Sequence, residues 1–126
     1  MQDRRLLICD DEAAFGRLVQ NVAEGLGYEV RVTTDGREFI QAYDFFRPTT
    51  IILDMIMPGM DGNELVLWLA KQKCTARLII ITGYTPDYAE NAKVLAQYKG
   101  IGTVTTLQKP VEVTELRAVL ASPESS

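Results

Sequence analysis

Short apolar runs alternate with longer amphipathic stretches along this whole 126-residue chain. The runs predict strands over residues 6–9, 28–33, 50–53, 77–81 and 104–107. The stretches between and after them predict helices over residues 13–26, 37–46, 62–73, 87–99 and 111–121. Strict alternation of strand and helix over five units predicts a parallel sheet with helices on both faces. We therefore expect a single three-layer α/β domain, a doubly wound (βα)5 fold.

The length of the chain sets its domain organisation. A chain of 126 residues is long enough for one hydrophobic core and too short for two domains. We assign residues 1–121 to that domain. The Ser/Pro/Glu-rich residues 122–126 are typical of a tail or the start of a linker.

Composition excludes several classes of function. A net charge of −4 argues against direct nucleic-acid binding by this domain. No apolar run approaches the roughly 18 residues of a membrane span, so we expect no membrane association and a cytoplasmic location. The two cysteines, Cys9 and Cys74, are too few for a disulfide framework and are expected to be reduced. The chain has no histidine, which excludes a histidine base, metal ligand or phosphohistidine on it.

The sequence predicts which apolar residues of the helices face the core and where two helix ends lie. In the first helix the apolar residues expected to face inward are Phe15, Leu18, Val19, Val22 and Leu26. In the third helix they are Leu65, Leu67, Trp68 and Leu69. Gly27 is placed to end the first helix, and Asp35-Gly36 to turn into the second.

Polar residues follow four of the five predicted strands. They are Asp10-Asp11-Glu12, Asp54, Thr82-Gly83 and Lys109-Pro110. Because the carboxyl ends of parallel strands meet at one edge of a sheet, we expect these side chains to lie together. Three carboxylates there would repel one another unless a cation neutralised them, and Mg²⁺ (or Mn²⁺) prefers such oxygen ligands. Asp11 also sits where a helix N-cap residue is common, so a capping role competes with the metal role.

The same group of residues suits phosphoryl transfer. An aspartate can act as a nucleophile toward phosphorus and form an acyl phosphate, which makes Asp54 a candidate phosphoacceptor. Phosphoryl transfer depends mainly on positioning and on neutralising the phosphoryl oxygens. The Lys109 ammonium, the Thr82 hydroxyl and a divalent cation could each take one oxygen.

These motifs, with Met57-Pro58-Gly59-Met60-Asp61-Gly62 after Asp54, resemble the receiver domain of two-component response regulators over residues 5–121. The resemblance implies a flavodoxin-like fold with strand order 2-1-3-4-5. It implies phosphorylation of Asp54 by a sensor histidine kinase or a histidine phosphotransfer protein. It also implies Mg²⁺ held by Asp10 or Asp11, Asp54 and the main-chain carbonyl of Ile56.

The resemblance further implies a signalling domain and not an enzyme. Its output surface would be built from the fourth helix, fifth strand and fifth helix, which phosphorylation reshapes. A downstream effector or a second copy of the receiver would contact that surface. The sequence names neither the kinase nor the output.

Two positions depart from the family pattern. Receivers commonly carry Tyr or Phe three residues before the lysine, where this chain has Thr106. Two alternatives follow: Tyr84 supplies the ring that moves on phosphorylation, or residues 83–99 transmit the signal without one. Ile56 and Tyr84 flank the expected path of the attacking water, and neither is an obvious base. We therefore expect slow autodephosphorylation.

Three other functions fit the sequence less well. A haloacid-dehalogenase-type phosphatase needs a D-x-D motif, but Asp54 is followed by Met55-Ile56, which lacks the second carboxylate. A flavodoxin-like electron carrier would need glycines and hydroxyls for the FMN phosphate after the first strand, where this chain has acids. An inert receiver-like docking module is disfavoured by the complete set of site residues.

Overall fold

The computed structural model describes residues 4–55, 62–83, 100 and 103–121, with Thr82 described by its backbone alone. Five strands form one parallel sheet: β1 (Arg5–Cys9), β2 (Glu29–Thr33), β3 (Thr50–Asp54), β4 (Arg77–Thr82) and β5 (Val104–Gln108). Their order across the sheet is β2-β1-β3-β4-β5. The predicted strand order of 2-1-3-4-5 is therefore confirmed.

Four helices are described. They are α1 (Ala13–Gly25), α2 (Gly36–Phe46), α3 (Gly62–Lys71) and a C-terminal helix (Val113–Ala121). Two helices are each two residues shorter than predicted. Helix α3 ends at Lys71, and the C-terminal helix starts at Val113. The predicted helix over 87–99, the Met/Pro/Gly turn over 56–61 and the tail over 122–126 lie outside the described residues.

Strand side chains point alternately to two apolar layers. In β1, Leu7 and Cys9 pack into one cluster with residues of α2 and α3, including Phe39 and Leu65. Leu6 and Ile8 pack into a second cluster with residues of α1 and the C-terminal helix, including Val19, Leu116 and Leu120. Because alternate residues of a strand face opposite sides, burial on both faces requires the continuous apolar runs seen in the sequence. The predicted three-layer fold is confirmed.

The ends of the first two helices follow their local sequence. Gly27 has a φ of 90°, and its N–H donates to the carbonyl of Glu24 at 3.1 Å, which closes the end of α1. Asp35 caps α2, with its side chain accepting from the Glu38 N–H at 2.9 Å. Both predictions are confirmed. The N-cap of α1 is Glu12, whose N–H donates to Oδ1 of Asp10 at 2.8 Å, so the capping role predicted for Asp11 was wrong.

Two residues of the predicted inward stripes are exposed. Leu18 of α1 and Leu67 of α3 are 37% and 40% exposed. The buried line of α1 instead runs through Gly16, Val19 and Ala23. Since successive helical residues differ by about 100° in direction, a neighbour of a central core residue can already face solvent.

The aromatic residues assigned to the core are partly buried at its margins. Trp68 packs edge-on against Tyr43, with ring centroids 5.2 Å apart, and Phe15 lies against the cluster on the α1 face. Cys9 and Cys74 are both buried thiols, and they are not joined in a disulfide. Burial raises the pKa of Cys9 to about 12, so its thiol stays protonated and acts as an apolar side chain. No helix in the described part of the chain has the length and apolar character needed to cross a membrane.

Candidate functional site

The register of the sheet places the predicted acids side by side. Cys9 of β1 pairs with Leu53 of β3, so the next residues along the two strands, Asp10 and Asp54, lie beside one another. The main chain on either side is tied into the sheet. Asp10 N–H donates to Thr33 at 3.1 Å, and Met55 N–H donates to Ile81 at 3.0 Å. The acids are therefore held by backbone hydrogen bonds at the carboxyl edge of the sheet.

Three carboxylates share this edge. One oxygen each of Asp10, Asp11 and Asp54 lies within 4.8 Å of the others. Asp10 and Asp54 are buried, whereas Asp11 is exposed. Met55, just after β3, lies close to Gly62 at the start of α3, and the Gly62 N–H donates to the Met55 carbonyl at 3.0 Å. A Cβ on Gly62 would lie 2.8 Å from the Met55 Cα, so only glycine permits this contact.

The surroundings of Asp10 shift the pKa of its carboxyl group. Burial raises its pKa, while the Glu12 N–H and the Lys109 ammonium act in the opposite direction. Its Oδ1 accepts the Glu12 N–H, but its buried Oδ2 receives no hydrogen bond from the described residues. Oδ2 lies 3.1 Å from Lys109 Nζ in an ion contact whose geometry is not that of a hydrogen bond.

Lys109 places its ammonium among the acids. Its Nζ lies 3.1 Å from Asp10, 3.7 Å from Asp54 and closest of all to Glu12. Burial alone would lower the pKa of Lys109, but the negative charges of Glu12 and Asp10 beside its ammonium raise that pKa above the ordinary value. The ammonium is thus charged at neutral pH. The peptide bond between Lys109 and Pro110 is cis.

The remaining predicted site residues differ in how far the structure places them. Thr82 ends β4 and pairs with Gln108, which puts its backbone at the same edge. A Cβ on Gly83 would lie 3.7 Å from Lys109 Cβ, in ordinary contact. Thr106 is half-buried in β5, opposite Ile80. Ile56 and Tyr84 lie outside the described residues.

The donor set fits a hard divalent cation. Three carboxylates within reach of one another offer oxygen ligands, and the buried Oδ2 of Asp10 has no hydrogen-bond donor among the described residues. Mg²⁺ is commonly held by one or two carboxylates together with phosphate oxygens and water. Asp10, Asp11 and Asp54 are the residues that would hold it.

A protein-family model matches nearly the whole chain. The model of the response regulator receiver domain family matches residues 6–121. The chain belongs to this family. A receiver domain is a signalling module of two-component systems, and the fold and strand order described above are those of its solved members.

Curated relatives of this receiver differ in length. Sporulation initiation phosphotransferase F of Bacillus subtilis is 28% identical over 117 residues, which cover 93% of this chain and 90% of that protein. Transcriptional regulatory protein TrcR of Mycobacterium tuberculosis is 37% identical over 120 residues, which cover 92% of this chain and 43% of that protein. The receiver therefore spans nearly all of the first relative and less than half of the second.

Solved structures show the same fold. A response regulator from Colwellia psychrerythraea superposes with a TM-score of 0.81 at 32% identity, covering 94% of each chain. Chemotaxis protein CheY4 of Vibrio cholerae gives a TM-score of 0.80 at 27% identity, covering 94% of this chain and 97% of that one.

Sequence reasoning missed two residues at the site of this receiver. Glu12 was noted only as part of an acidic run, yet its carboxylate makes the closest contact to Lys109. Phe15 was assigned to the core, yet Lys109 Nζ lies 4.8 Å from the centre of its ring. Glu12 and Phe15 are three residues apart, a spacing that places two side chains on the same side of a helix. The sequence could therefore have predicted that both face one side of α1.

Proposed function

We propose that this receiver accepts a phosphoryl group on Asp54 from a sensor histidine kinase or a histidine phosphotransfer protein. The observation that carries the proposal is the position of Asp54. Its buried carboxylate ends β3, one of its oxygens lies 3.7 Å from the Lys109 ammonium, and it lies in the group of three acids. The Bacillus subtilis relative is named sporulation initiation phosphotransferase F, which is consistent with this chemistry.

The transfer requires one bond to form as another breaks. An oxygen of Asp54 attacks phosphorus of the partner's phosphohistidine, forming an O–P bond. The P–N bond breaks, and its electron pair returns to the imidazole of the partner. If the phosphohistidine ring carried no proton, the imidazole takes one up from solvent, so that it leaves as neutral histidine. Lys109 is placed to stabilise the negative charge on the phosphoryl oxygens, and the Thr82 hydroxyl is proposed for a second oxygen.

Mg²⁺, or Mn²⁺ in its place, is the proposed cofactor. Bound by Asp10, Asp11 and Asp54, with the proposed Ile56 carbonyl, the ion would supply positive charge opposite the phosphoryl oxygens. The chain's own part is to keep these carboxylates ionised and close together despite their repulsion. The Glu12 N–H, the Lys109 ammonium and the N-terminus of α1 all favour the charged form of Asp10.

The proposed output is a change of surface and not catalysis on an external substrate. Phosphorylation adds a charge of about −1.5 to −2 at Asp54. We propose that it reshapes the surface formed by residues 87–99, β5 and the C-terminal helix, where a downstream effector or a second receiver would bind. With Thr106 in β5, we propose Tyr84 as the moving ring. If Tyr84→Ala leaves the phosphorylation-induced NMR shifts over 98–120 unchanged, this role of Tyr84 fails.

The lifetime of the phosphorylated state is proposed to be long. Ile56 and Tyr84 flank the expected path of water to the phosphoryl group and offer no base. In Ile56→Asn an amide could position a water, so the decay of phosphorylated Asp54 should be faster than in the wild type. Equal decay rates, followed by intact mass after removal of the phosphodonor, would refute this.

The wider assignment rests on the family. We propose that residues 1–121 act as the receiver in the cytoplasm without binding a membrane or nucleic acid directly, and that 122–126 form a tail or linker. Two related transcriptional regulators are about twice as long as this chain. We therefore propose that the downstream effector can be a further domain of the kind that such regulators carry.

Incubation with a small phosphodonor and Mg²⁺, followed by intact mass spectrometry, tests the central proposal. We expect the wild type to gain the mass of one phosphoryl group and Asp54→Asn to gain none. Asp44→Asn, which removes an exposed carboxylate on α2, is the matched control and should gain the group as the wild type does. No gain in the wild type would favour an inert docking module. A full gain in Asp54→Asn would place the acceptor elsewhere.

A further inference from the structure

The Lys109 ammonium is held in one place by four groups. Glu12 makes the closest contact, Asp10 lies at 3.1 Å and Asp54 at 3.7 Å. The ring of Phe15 lies 4.8 Å away and presents its face to the charge. The ammonium is therefore nearer to the acids that follow β1 than to the proposed phosphoacceptor.

Two of these four groups come from the start of α1. Glu12 is the N-cap residue, and its main chain is fixed by the bond from its N–H to Asp10. Phe15 lies one turn further along, so both side chains face Lys109 from the same side. Glu12 is 62% exposed and has no assigned part in binding metal or phosphoryl. Its carboxylate can therefore compete for the Lys109 ammonium without also binding the metal ion or the phosphoryl group at Asp54.

We propose that Glu12 and Phe15 form a resting clamp on Lys109, and that Glu12 competes with the phosphoryl group on Asp54 for its ammonium. The inference rests on the proposed function. The ammonium has three N–H donors, which in the resting state already lie among the carboxylates of Glu12, Asp10 and Asp54. A phosphoryl group on Asp54 would add anionic oxygens that compete with Glu12 for those donors. Glu12 is then a positioning residue that favours the unphosphorylated state.

The energy involved is that of a largely exposed ion pair. Such pairs change an equilibrium by roughly two- to fivefold, because solvent screens the charges and the side chains lose freedom. Removing the carboxylate of Glu12 should therefore favour the phosphorylated form by about that factor.

Beryllofluoride, a phosphoryl mimic that binds with Mg²⁺, measures this competition without covalent transfer. In Glu12→Gln we expect roughly two- to fivefold tighter binding than in the wild type, followed by calorimetry or NMR titration. Glu24→Gln removes an exposed carboxylate further along α1 and should leave the affinity unchanged. Unchanged affinity in Glu12→Gln would overturn the proposal.

A double-mutant cycle separates competition for the lysine from a general field effect. Glu12→Gln also removes negative charge near the site, which by itself would favour an anion. In a Lys109→Met background the competition is gone, so Glu12→Gln should then change the beryllofluoride affinity little. An equal gain with and without Lys109 would show that Glu12 acts only through its field, and the clamp would be rejected.

A readout in the resting protein tests the clamp independently of phosphorylation. The NMR signals of the Lys109 ε-methylene should shift in Glu12→Gln and in Phe15→Leu, and stay in place in Glu24→Gln. If those shifts occur while the wild type takes up no phosphoryl group, the clamp stands and the proposed function fails. If the wild type is phosphorylated and the shifts are absent, the clamp alone fails.

Discussion

At the carboxyl edge of the sheet three carboxylates lie around one lysine, whereas at the amino edge three arginines lie beside helix ends. Both edges result from the same topology. Helices that connect parallel strands run antiparallel to them, so helix N-termini gather at one edge and C-termini at the other. The last carbonyls of a helix carry partial negative charge and lack partners within the helix.

The arginines at the amino edge supply those partners. Arg4 donates to Leu26 beyond α1 at 3.3 Å, and Arg5 donates to Arg47 at the end of α2 at 2.7 Å. Arg77, at the start of β4, donates to Val119 in the C-terminal helix at 2.9 Å. Each guanidinium thus meets carbonyl groups that would otherwise end a helix without a donor.

Arg77 belongs to a small buried network. Its Nη2 donates to the Tyr28 hydroxyl at 3.2 Å, and that hydroxyl donates to Leu120 at 2.7 Å. Tyr28 and Arg77 together tie the last turn of the C-terminal helix to the sheet. At the amino edge each of the three guanidinium groups donates to a carbonyl near a helix end, although the buried Nε of Arg77 has no hydrogen-bond partner among the described residues. At the carboxyl edge several negative charges lie close together. Such an arrangement is expected at a cation-binding site, where repulsion between the ligands lowers the folding stability of the protein without the cation.

The largest test removes the charge from the amino edge. Arg77→Met keeps much of the side chain's bulk but takes away the donors to Val119 and Tyr28. We expect a loss of about 2 kcal/mol in the free energy of unfolding, measured by urea denaturation. Arg4→Met, at a partly exposed helix end, should lose about 0.5 kcal/mol. Equal stability of Arg77→Met and wild type would show that this edge is not a stabilising one.

A second test removes a charge from the carboxyl edge. Asp10→Asn should raise the stability of the protein without divalent cation by roughly 1 kcal/mol at pH 7, because the buried carboxylate no longer has to be ionised. Mg²⁺ should then raise the melting temperature less than in the wild type. If Asp10→Asn is instead less stable than the wild type in EDTA, the idea that the site costs stability is wrong.

The sign of this effect also predicts a pH dependence. Burial raises the pKa of Asp10 above 3.8, so its ionisation opposes folding as pH rises from about 3.8 through the folded value. Below that window both states are protonated, and the advantage of Asp10→Asn should disappear. The difference in melting temperature between the two proteins, measured from acid to neutral pH in EDTA, checks the sign.

The last test removes one hydroxyl. Tyr28→Phe keeps the ring in the core but loses the bond to Leu120 and the acceptor for Arg77. We expect a loss of about 1 kcal/mol, with amide exchange in the C-terminal helix rising more than in α2. Phosphoryl uptake at the opposite edge should be unchanged. A loss of uptake without unfolding would mean that the two edges are coupled.

Much of the architecture could be read from local pattern. Alternation of apolar runs and amphipathic stretches predicts the parallel sheet, and the polar residues after each run predict the acidic edge. Gly27 and Asp35 mark helix ends because a left-handed residue and a side-chain cap are local requirements. The exposure of Leu18 and Leu67 was not foreseen, because helical spacing does not say which apolar residue lies at the centre of a stripe.

Contacts between distant residues were also not foreseen. Glu12 and Lys109 are 97 residues apart, and Arg77 meets Val119 across 42 residues. The motifs identify Lys109 as a site residue, but they do not say which of several acids lies closest to it. Arg77 at the start of an apolar run was a signal that a buried charge needed partners, although the partners themselves came from other elements.

The sequence by itself determined the alternation of strands and helices, the family, and the position of Asp10, Asp54 and Lys109 at the carboxyl edge. These follow from periodicity and from motifs that lie within a few residues of one another. Tertiary structure alone decided that Glu12 and Phe15 face Lys109, and that Tyr28 and Arg77 hold the end of the C-terminal helix. Those contacts depend on sheet register and helix rotation, which bring side chains together only after the whole core has packed.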